Sequence, residues 1–305
     1  LFRALAFVRL TCATGLAPQT AMIARQVLVP GGFEGLGGMN CFVRIVCLSA
    51  VVASSMLLVL QSPVSAQPRY AWRAEDAQTQ ATLEERFPPP PGFERLAVEP
   101  QSFAEWLRGL PMKPDGAPVL LHTGAPKWRQ DVHAGVVDID VGKRDLQQCA
   151  DAIMRLRAEW LYSLGRKSDI AFNDTQGKRL RFSARPKQDY PGFRKYMDYV
   201  FAYAGTYSLE RELVPAPLDS VRAGDVFIKG GFPGHAVLVT DVVVNRATGE
   251  TRFLLTQSYM PAQEIHVLKN PAAIDGSVWY ATDFGETLET PEWRFPRQQL
   301  KRWKS

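Results

Sequence analysis

Alternating hydrophobic and polar residues in the C-terminal half of the chain predict a series of β-strands. Three segments are short, rich in β-branched residues and bounded by glycine or polar residues: GDVFIKGG (224–231), GHAVLVTDVVVN (234–245) and TRFLLTQSY (251–259). The polar sequence RATGE joins the last two segments and predicts a β-hairpin. HAGVVDIDVG (133–142) alternates in the same way and predicts an earlier strand.

The strongest helical pattern lies between these strands, in residues 144–166. Asp145 is the expected N-cap, and Gln148 stands three residues later, where it completes a capping box. Gly165 occupies the position expected for a C-terminal cap. We therefore expect one long helix whose first turn contains Cys149.

Two further segments have helical patterns. SFAEWLRGL (102–110) predicts a short helix with Ser102 as its N-cap, and residues 193–213 predict a second helical stretch. Helices that precede an antiparallel sheet indicate the α+β class in a single domain.

Residues 39–66 have the pattern of a secretory signal peptide. Met39 opens a short region with one arginine, about 16 apolar residues follow, and small residues lie at Val64 and Ala66. The apolar run is short for a membrane span, although an uncleaved membrane anchor is the alternative. We expect cleavage after Ala66, export to the periplasm or the cell exterior, and no stable membrane span after cleavage.

The signal peptide divides the chain into four parts. Residues 1–38 have no clear period and are interpreted as an upstream extension outside the fold. Residues 67–95 are rich in proline and charge, which predicts an extended lead-in. Residues 96–305 then form the single α+β domain.

Composition narrows the class of protein. Hydrophobic residues make up 46% of the chain and charged residues 22%, which is typical of a globular protein with a real core. The net charge of +5 is scattered, with no long run of like charges, so we expect no nucleic-acid partner. A basic surface would suit anionic polymers of the cell envelope.

Cysteine usage singles out one residue. Cleavage after Ala66 would remove three of the four cysteines and leave only Cys149. At the start of a helix, free backbone N–H groups and the helix dipole stabilise a thiolate and lower the pKa of the thiol. The alternative is a plain core residue, because Cys149 shares the apolar helix face of Ile153, Leu156 and Trp160.

His235 is the second candidate for chemistry. It enters an otherwise apolar strand directly after Gly234, which allows a close backbone approach. A cysteine nucleophile needs a base beside the sulfur, and a histidine on a later strand can provide it.

Asp-Val-Phe-Ile followed by Gly-His-Ala-Val-Leu-Val resembles the corresponding stretch of NlpC-type cell-wall cysteine peptidases, a papain-like class. In that class a cysteine opens a helix, a histidine opens a later strand, and a polar residue on the next strand orients the histidine. The resemblance implies a papain-like arrangement, in which a helix with Cys149 packs on an antiparallel sheet with His235. The family motif Asp-Cys-small-Gly is replaced here by QCAD (148–151).

A second resemblance covers most of the mature chain. QCADAIMRLRAEWLY, FPGHAVLVTDV and LLTQSYMPAQEIHVLKNP resemble a domain-of-unknown-function family of secreted bacterial proteins. This resemblance implies no established activity.

Two glutamines are candidates for the third catalytic partner. Gln257 lies on the strand after His235 and is expected opposite about Thr240, whereas Gln263 falls nearer to His235. Pro261 interrupts the strand between them, so both stay open. Asp241 is a weaker alternative, interpreted as a surface residue about 20 Å along the strand from His235.

Other polar residues point to no cofactor. His122, His133, Asp138 and Asp140 have no compact metal-binding spacing, so we expect no metal. Arg155, Arg157 and Glu159 are interpreted as a solvated or salt-bridged helix face, with an anion-binding role as the alternative.

Two functional hypotheses follow from these features. The first is an exported cysteine hydrolase, an amidase, peptidase or acyltransferase, that uses Cys149 and His235 on a cell-wall peptide or another envelope polymer. The second is a non-catalytic envelope-binding or scaffold protein on a degenerate papain-like fold.

Overall fold

The computed structural model describes residues 69–73, 81–274 and 276–304. The expected upstream extension, signal peptide and cleavage site lie outside the described residues. Five α-helices are present in the described part: α1 Leu83–Arg86, α2 Phe103–Arg108, α3 Cys149–Ser163, α4 Tyr190–Tyr203 and α5 Thr206–Glu212. Within these same ranges, no helix is long and apolar enough to cross a membrane.

The strands belong to one large sheet and three two-stranded pairs. In chain order they are β1 Ala81–Thr82, β2 Glu94–Arg95, β3 Pro111–Met112, β4 His133–Val136, β5 Ala171–Asn173, β6 Arg179–Arg181, β7 Leu213–Pro215, β8 Val226–Lys229, β9 His235–Val244, β10 Thr251–Gln257, β11 His266–Leu268, β12 Tyr280–Ala281, β13 Thr287–Glu289, β14 Arg294–Pro296 and β15 Leu300–Trp303.

The large sheet is antiparallel and has nine strands. Its main order is β4-β11-β10-β9-β8-β15-β7, with β12 added beside β10 and β2 added beside β9. The predicted hairpin is present as β9 and β10, and the α+β class is confirmed. The strand predicted at 133–142 is shorter than expected, because β4 ends at Val136.

A β-bulge in the hairpin changes which face of the sheet each residue occupies. Leu254 pairs with Asp241, whereas Leu255 pairs with Val239, so Thr240 has no partner in the ladder. On the side of the bulge that leads to His235, Ala236 and Leu238 face the core cluster that contains α3. Val237 and Val239 face a second core cluster on the other side of the sheet.

The hairpin register corrects the expected position of Gln257: Thr251 pairs with Val244, which is a shift of two positions, and the bulge adds a third. Thr256 pairs with Leu238, so Gln257 follows on toward Val237 instead of lying opposite Thr240. The one-residue part of the shift that comes from the bulge cannot be predicted from a simple hairpin register, because the extra residue on β9 has no sequence signature of its own.

Helix α3 begins at Cys149, four residues after Asp145, the predicted N-cap. Its N-cap is Gln148, whose backbone N–H donates to the Asp151 carboxylate at 3.1 Å. Asp145 is not the N-cap, because its carboxylate accepts from the Ala262 backbone N–H at 2.6 Å and ties the preceding loop to the turn before β11. Gly165 lies just beyond the helix with φ of 69°, in agreement with the expected C-terminal signal.

Of the two alternatives for the polar face of α3, Arg155 and Glu159 form the salt-bridged one and are not solvated. Arg155 and Glu159 are fully buried and form an ion pair at 2.7 Å. The Tyr190 hydroxyl at the start of α4 donates to Glu159 at 2.9 Å, so the neighbouring helix covers this face. Helix α3 is therefore enclosed by the sheet and by other helices.

Two other helical and extended predictions differ from the structure. The stretch predicted at 193–213 is divided into α4 and α5 around Gly205. The described part of the expected lead-in contains β1, α1 and β2, and Arg95 of β2 pairs with Val243 of β9. This segment is therefore integrated into the domain, although its proline content predicts an extended chain.

Asp241 is a structural residue and not the surface aspartate expected from the sequence. It is 0% exposed, and its two carboxylate oxygens bind Arg95 at 2.7 Å and Arg108 at 2.6 Å. The carboxylate connects β9 with β2 and α2, which explains its complete burial with two cations.

We predict that Asp241→Asn lowers the free energy of unfolding by about 3 to 5 kcal/mol, because it leaves two guanidinium groups without their counter-ion. Urea unfolding at pH 7.5 measures the loss. Asp115→Asn is the matched control, because Asp115 pairs with Arg86 but its side chain is 86% exposed. Its loss should stay below about 1 kcal/mol, and equal losses in the two variants would contradict the structural role of Asp241.

Candidate functional site

Cys149 is the first residue of α3 and lies beside the start of β9. It is a free cysteine and is 8% exposed. The backbone N–H groups of Ala150 and Ala236 can donate hydrogen bonds to its sulfur, which favours the thiolate. Ala236 follows His235 directly in the chain, so the helix N-terminus and the first residues of β9 are neighbours.

Burial outweighs these favourable groups. Loss of water around the sulfur, with the nearby Asp151 carboxylate as the next cause, raises the pKa of the Cys149 thiol to about 12. The lowered pKa expected from the helix N-terminus is therefore wrong for this resting state, in which the thiol is protonated.

His235 is the first residue of β9, and Gly234 makes this position possible. A Cβ atom at Gly234 would lie 2.4 Å from the Gly231 carbonyl oxygen and 2.8 Å from the Lys229 oxygen, so only glycine fits. The imidazole is 1% exposed. Its ring packs edge-on against Tyr259, with the ring centroids 4.6 Å apart.

Gln257 is the hydrogen-bond partner of His235. Its Oε1 lies 2.9 Å from the His235 Nε2, and the side chain is buried. Gln263, the other candidate, accepts from the Lys127 ammonium group at 2.9 Å instead. The structure thus brings Gln257 and His235 together. Gln263 contacts Lys127 and not the imidazole.

A carboxylate determines the orientation of the Gln257 amide. The Gln257 Nε2 lies 2.6 Å from the Glu292 carboxylate, which also accepts from Lys127 at 2.7 Å. Because a carboxylate held by an ammonium group only accepts hydrogen bonds, the amide must present its NH₂ to Glu292 and its oxygen to His235.

The amide orientation assigns the protons on two histidines. His235 must donate from Nε2, so the neutral ring keeps its lone pair on Nδ1. His266 lies 3.3 Å from the same Gln257 NH₂ through Nε2 and 2.8 Å from the Glu264 carbonyl oxygen through Nδ1. It therefore carries its proton on Nδ1, and the two rings are opposite tautomers.

The free nitrogen of His235 is nearly buried and reaches solvent only through the small exposed part of the ring. Within the described residues, Nδ1 makes no hydrogen bond. It is nevertheless not completely buried. The small exposed fraction of His235 therefore includes Nδ1. This nitrogen can accept a proton from a group that enters the site.

The side chains of His235 and Ala236 project from opposite faces of the sheet, and the Cys149 sulfur contacts the backbone N–H of Ala236. Ala236 faces α3, whereas His235 is tilted against Trp293 and stacks with Phe295, with centroid distances of 5.4 and 5.9 Å. In the described part of the chain, no hydrogen bond joins the thiol to the imidazole. The pairing of β9 with β10 ends at Leu238 and Thr256, so His235 lies beyond the last paired position of these two strands, although it still pairs with Lys229 of β8.

Both buried histidines are neutral at physiological pH. Burial lowers the pKa of His235 to about 4, opposed by its hydrogen bond to Gln257, and lowers the pKa of His266 to about 3. Burial also lowers the pKa of Lys127, although Glu292 opposes this change. The site is thus a neutral thiol and a neutral imidazole beside one buried ion pair.

The residues weighed as metal ligands have other partners or positions. Asp140 binds Arg155 and Arg194, and His133 contacts the Ala117 carbonyl oxygen at 3.1 Å. His122 is only partly buried. Among residues 69–73, 81–274 and 276–304, no three His, Cys, Asp or Glu side chains group together as a metal site.

Sequence reasoning missed four residues of this site. Lys127, Glu292 and Tyr259 lie in loops, where no periodic pattern marks them. His266 lies in the three-residue strand β11, opposite Gln257 in the ladder. The alternation around Ile265 and Val267 is a signal that could have found this strand.

Comparison with known proteins places the chain in a family. The model of a family described as a domain of unknown function (4846) matches residues 83–187 and 182–302, more than half of the chain. The chain belongs to this family, which agrees with the second resemblance seen in the sequence. No curated protein and no solved structure matches the chain.

We predict that the free energy of unfolding falls by about 1 to 2 kcal/mol for each of His235 and His266 between pH 7.5 and pH 5. The ordinary histidine pKa is 6.5, and both folded values are lower, so the unfolded chain takes up protons first as the pH falls. Stability is therefore lost on the acid side. Urea unfolding at the two pH values measures this change.

His266→Gln should reduce the difference between the two pH values by about 1 to 2 kcal/mol, because it removes one of the titrating rings. His133→Gln is the comparison: burial lowers the pKa of this partly buried ring as well, so its removal should reduce the difference by less than His266→Gln does. An identical pH dependence in His266→Gln and the wild type would contradict the neutral buried state of His266.

Proposed function

We propose that this protein is a papain-like cysteine hydrolase or acyltransferase in which Cys149 is the nucleophile, His235 the base and Gln257 the residue that orients the base. The observation that carries the proposal is the His235–Gln257 hydrogen bond on adjacent strands, next to the helix that Cys149 begins. It leaves Nδ1 as the free nitrogen, which is the atom that a base needs.

The chemistry starts from neutral groups. Substrate binding brings the thiol to hydrogen-bond distance of Nδ1, a contact that is often long in an unliganded site. The His235 Nδ1 takes the thiol proton while the sulfur attacks the carbonyl carbon of an amide or ester. The free N–H groups at the start of α3 stabilise the resulting oxyanion.

The intermediate then collapses in balanced steps. The imidazolium returns its proton to the leaving amine or alcohol, and a thioester to Cys149 remains. Water attacks the thioester and gives hydrolysis, or a second amine attacks and gives acyl transfer. Gln257 accepts from the Nε2–H of His235 throughout, which stabilises the positive ring.

The proposed substrate is a cell-wall peptide or a related envelope polymer. The NlpC-type resemblance supports this class of substrate, and the net charge of +5 suits an anionic envelope. We propose accordingly that the protein is exported and that the segment 39–66 is removed after Ala66.

The second candidate function is a non-catalytic envelope-binding protein on the same fold. Two observations favour it: burial raises the pKa of Cys149 to about 12, and among the described residues no hydrogen bond joins the thiol to the imidazole. In this alternative Cys149 is a core residue and the His235–Gln257 pair only holds β9 to β10.

We predict that the mature protein releases new amino termini from purified peptidoglycan, detected by mass spectrometry of the soluble products. Cys149→Ser and His235→Ala should each lower the rate by about a thousandfold or more, because nucleophile and base act as a unit. Gln257→Ala should lower it by about tenfold to a hundredfold and more than Gln263→Ala does, because only Gln257 contacts the base. A wild-type protein that releases nothing would contradict hydrolysis of this substrate.

We predict that His235→Ala slows iodoacetamide alkylation of Cys149 by about tenfold or more at pH 7, because no base takes the thiol proton. His133→Ala is the matched control, because His133 is a partly buried histidine on the same sheet. Mass spectrometry of the single labelled site measures the rates. Equal rates in His235→Ala and the wild type would favour the non-catalytic alternative.

We predict that amino-terminal sequencing of the exported protein begins at Gln67 with QPRYAW. A membrane-bound product that still contains residues 39–66 would contradict cleavage.

A further inference from the structure

Arg157 is a cation without a hydrogen-bonded partner. Its guanidinium lies against three aromatic rings, with centroid distances of 4.3 Å to Trp160, 5.2 Å to Phe103 and 5.4 Å to Trp303. Within the described residues it forms no hydrogen bond or ion pair, unlike Arg155 two residues earlier. The guanidinium N–H groups of Arg157 are not sealed inside the protein, so they reach open space.

The open space next to Arg157 consists of two cavities. A cavity of about 610 Å³ and another of about 370 Å³ share Arg157, Trp303 and Lys304 in their linings. The indole N–H of Trp303 also has no acceptor among the described residues, but this atom is sealed from solvent, unlike the Arg157 donors. Among the described residues, Arg157 therefore offers this space hydrogen-bond donors that have no acceptor.

The larger cavity has an excess of positive charge. Its two carboxylates are already paired, Asp169 with Arg166 and Glu212 with Arg179. Among the residues that the structure describes, this leaves Arg157, Arg211 and Lys304 as cations of the lining without a carboxylate partner. Planar guanidinium donors with aromatic backing are suited to the paired oxygens of a carboxylate or a phosphate.

We propose that the larger cavity binds an oxyanion, the phosphate or carboxylate group of a ligand, with Arg157 as the central contact. Arg157 is on α3 eight residues after Cys149, roughly 12 Å along the helix at about 1.5 Å per residue. The site is therefore separate from the proposed catalytic groups and does not depend on their activity. Burial lowers the pKa of Arg157 to about 10, and a bound anion would compensate for this loss of hydration.

Binding can be measured on the mature protein by tryptophan fluorescence and by isothermal titration calorimetry, because Trp160 and Trp303 lie against the guanidinium. Inorganic phosphate and citrate are the probes, and sodium chloride at equal ionic strength corrects for salt. Saturable binding of phosphate alone, or of citrate alone, identifies the group that the site prefers. Failure of both probes to bind the wild type would overturn the proposal.

Arg157→Gln should weaken binding by about tenfold or more, because it removes the charged donors. Arg185→Gln is the matched control: Arg185 also stacks on an aromatic ring, Tyr199 at 4.2 Å, but lies outside both cavities. The affinity of Arg185→Gln for the probe should equal that of the wild type. Equal affinity in Arg157→Gln and the wild type would overturn the proposal, whereas normal binding by Cys149→Ser would confirm that the site is independent.

A thermal melt checks that Arg157→Gln is folded. If it is not, Arg211→Gln and Lys304→Gln replace it, because both cations line the same cavity. Each should weaken binding by about threefold or more. Wild-type affinity in both of these variants would overturn the proposal.

Discussion

The hydrogen bond between the Gln257 amide and the Glu292 carboxylate is the constraint on which the candidate site depends. It is 2.6 Å long, and Lys127 holds the same carboxylate oxygen at 2.7 Å. Because the carboxylate can only accept, the amide oxygen must face His235, and the imidazole must carry its proton on Nε2. One buried ion pair therefore determines which nitrogen of His235 is free to act as a base.

The fold supplies the positions that this constraint needs. Gly234 alone permits the close backbone approach before β9, and the bulge at Thr240 moves Gln257 toward the start of that strand. Asp241, next to the bulge, anchors β9 to Arg95 and Arg108. These two ion pairs hold the irregular part of the hairpin in place. Gln257, on β10, can then reach His235.

The sequence predicts the parts of the structure that rest on local patterns. The hairpin, the helix that contains Cys149 and the C-terminal glycine signal at Gly165 follow from periodicity and capping chemistry. Asp145 was expected as the N-cap because local spacing cannot reveal its bond to Ala262, over a hundred residues away. Glu292 and Lys127 lie in loops and join the site only through tertiary contacts, so no pattern in the chain identifies them.

The same limit applies to electrostatics. A cysteine at a helix start predicts a lowered thiol pKa, but the raised pKa of Cys149 follows from burial by distant segments. Arg155 and Arg157 have the same side chain two residues apart on α3, yet one is fully paired and the other lines open cavities. Only the packed structure separates a structural charge from one that is free to bind a ligand.

Nitrogen-15 NMR of the imidazole rings at pH 7 is the measurement that tests the account most directly. The chain contains four histidines, so the spectrum is simple, and His266→Gln assigns one of the two buried rings. We predict that both buried rings are neutral, with the proton on Nε2 in His235 and on Nδ1 in His266. A His235 ring with its proton on Nδ1, or a ring charged at both nitrogens, would contradict the claim that Glu292 and Gln257 prepare His235 as a base.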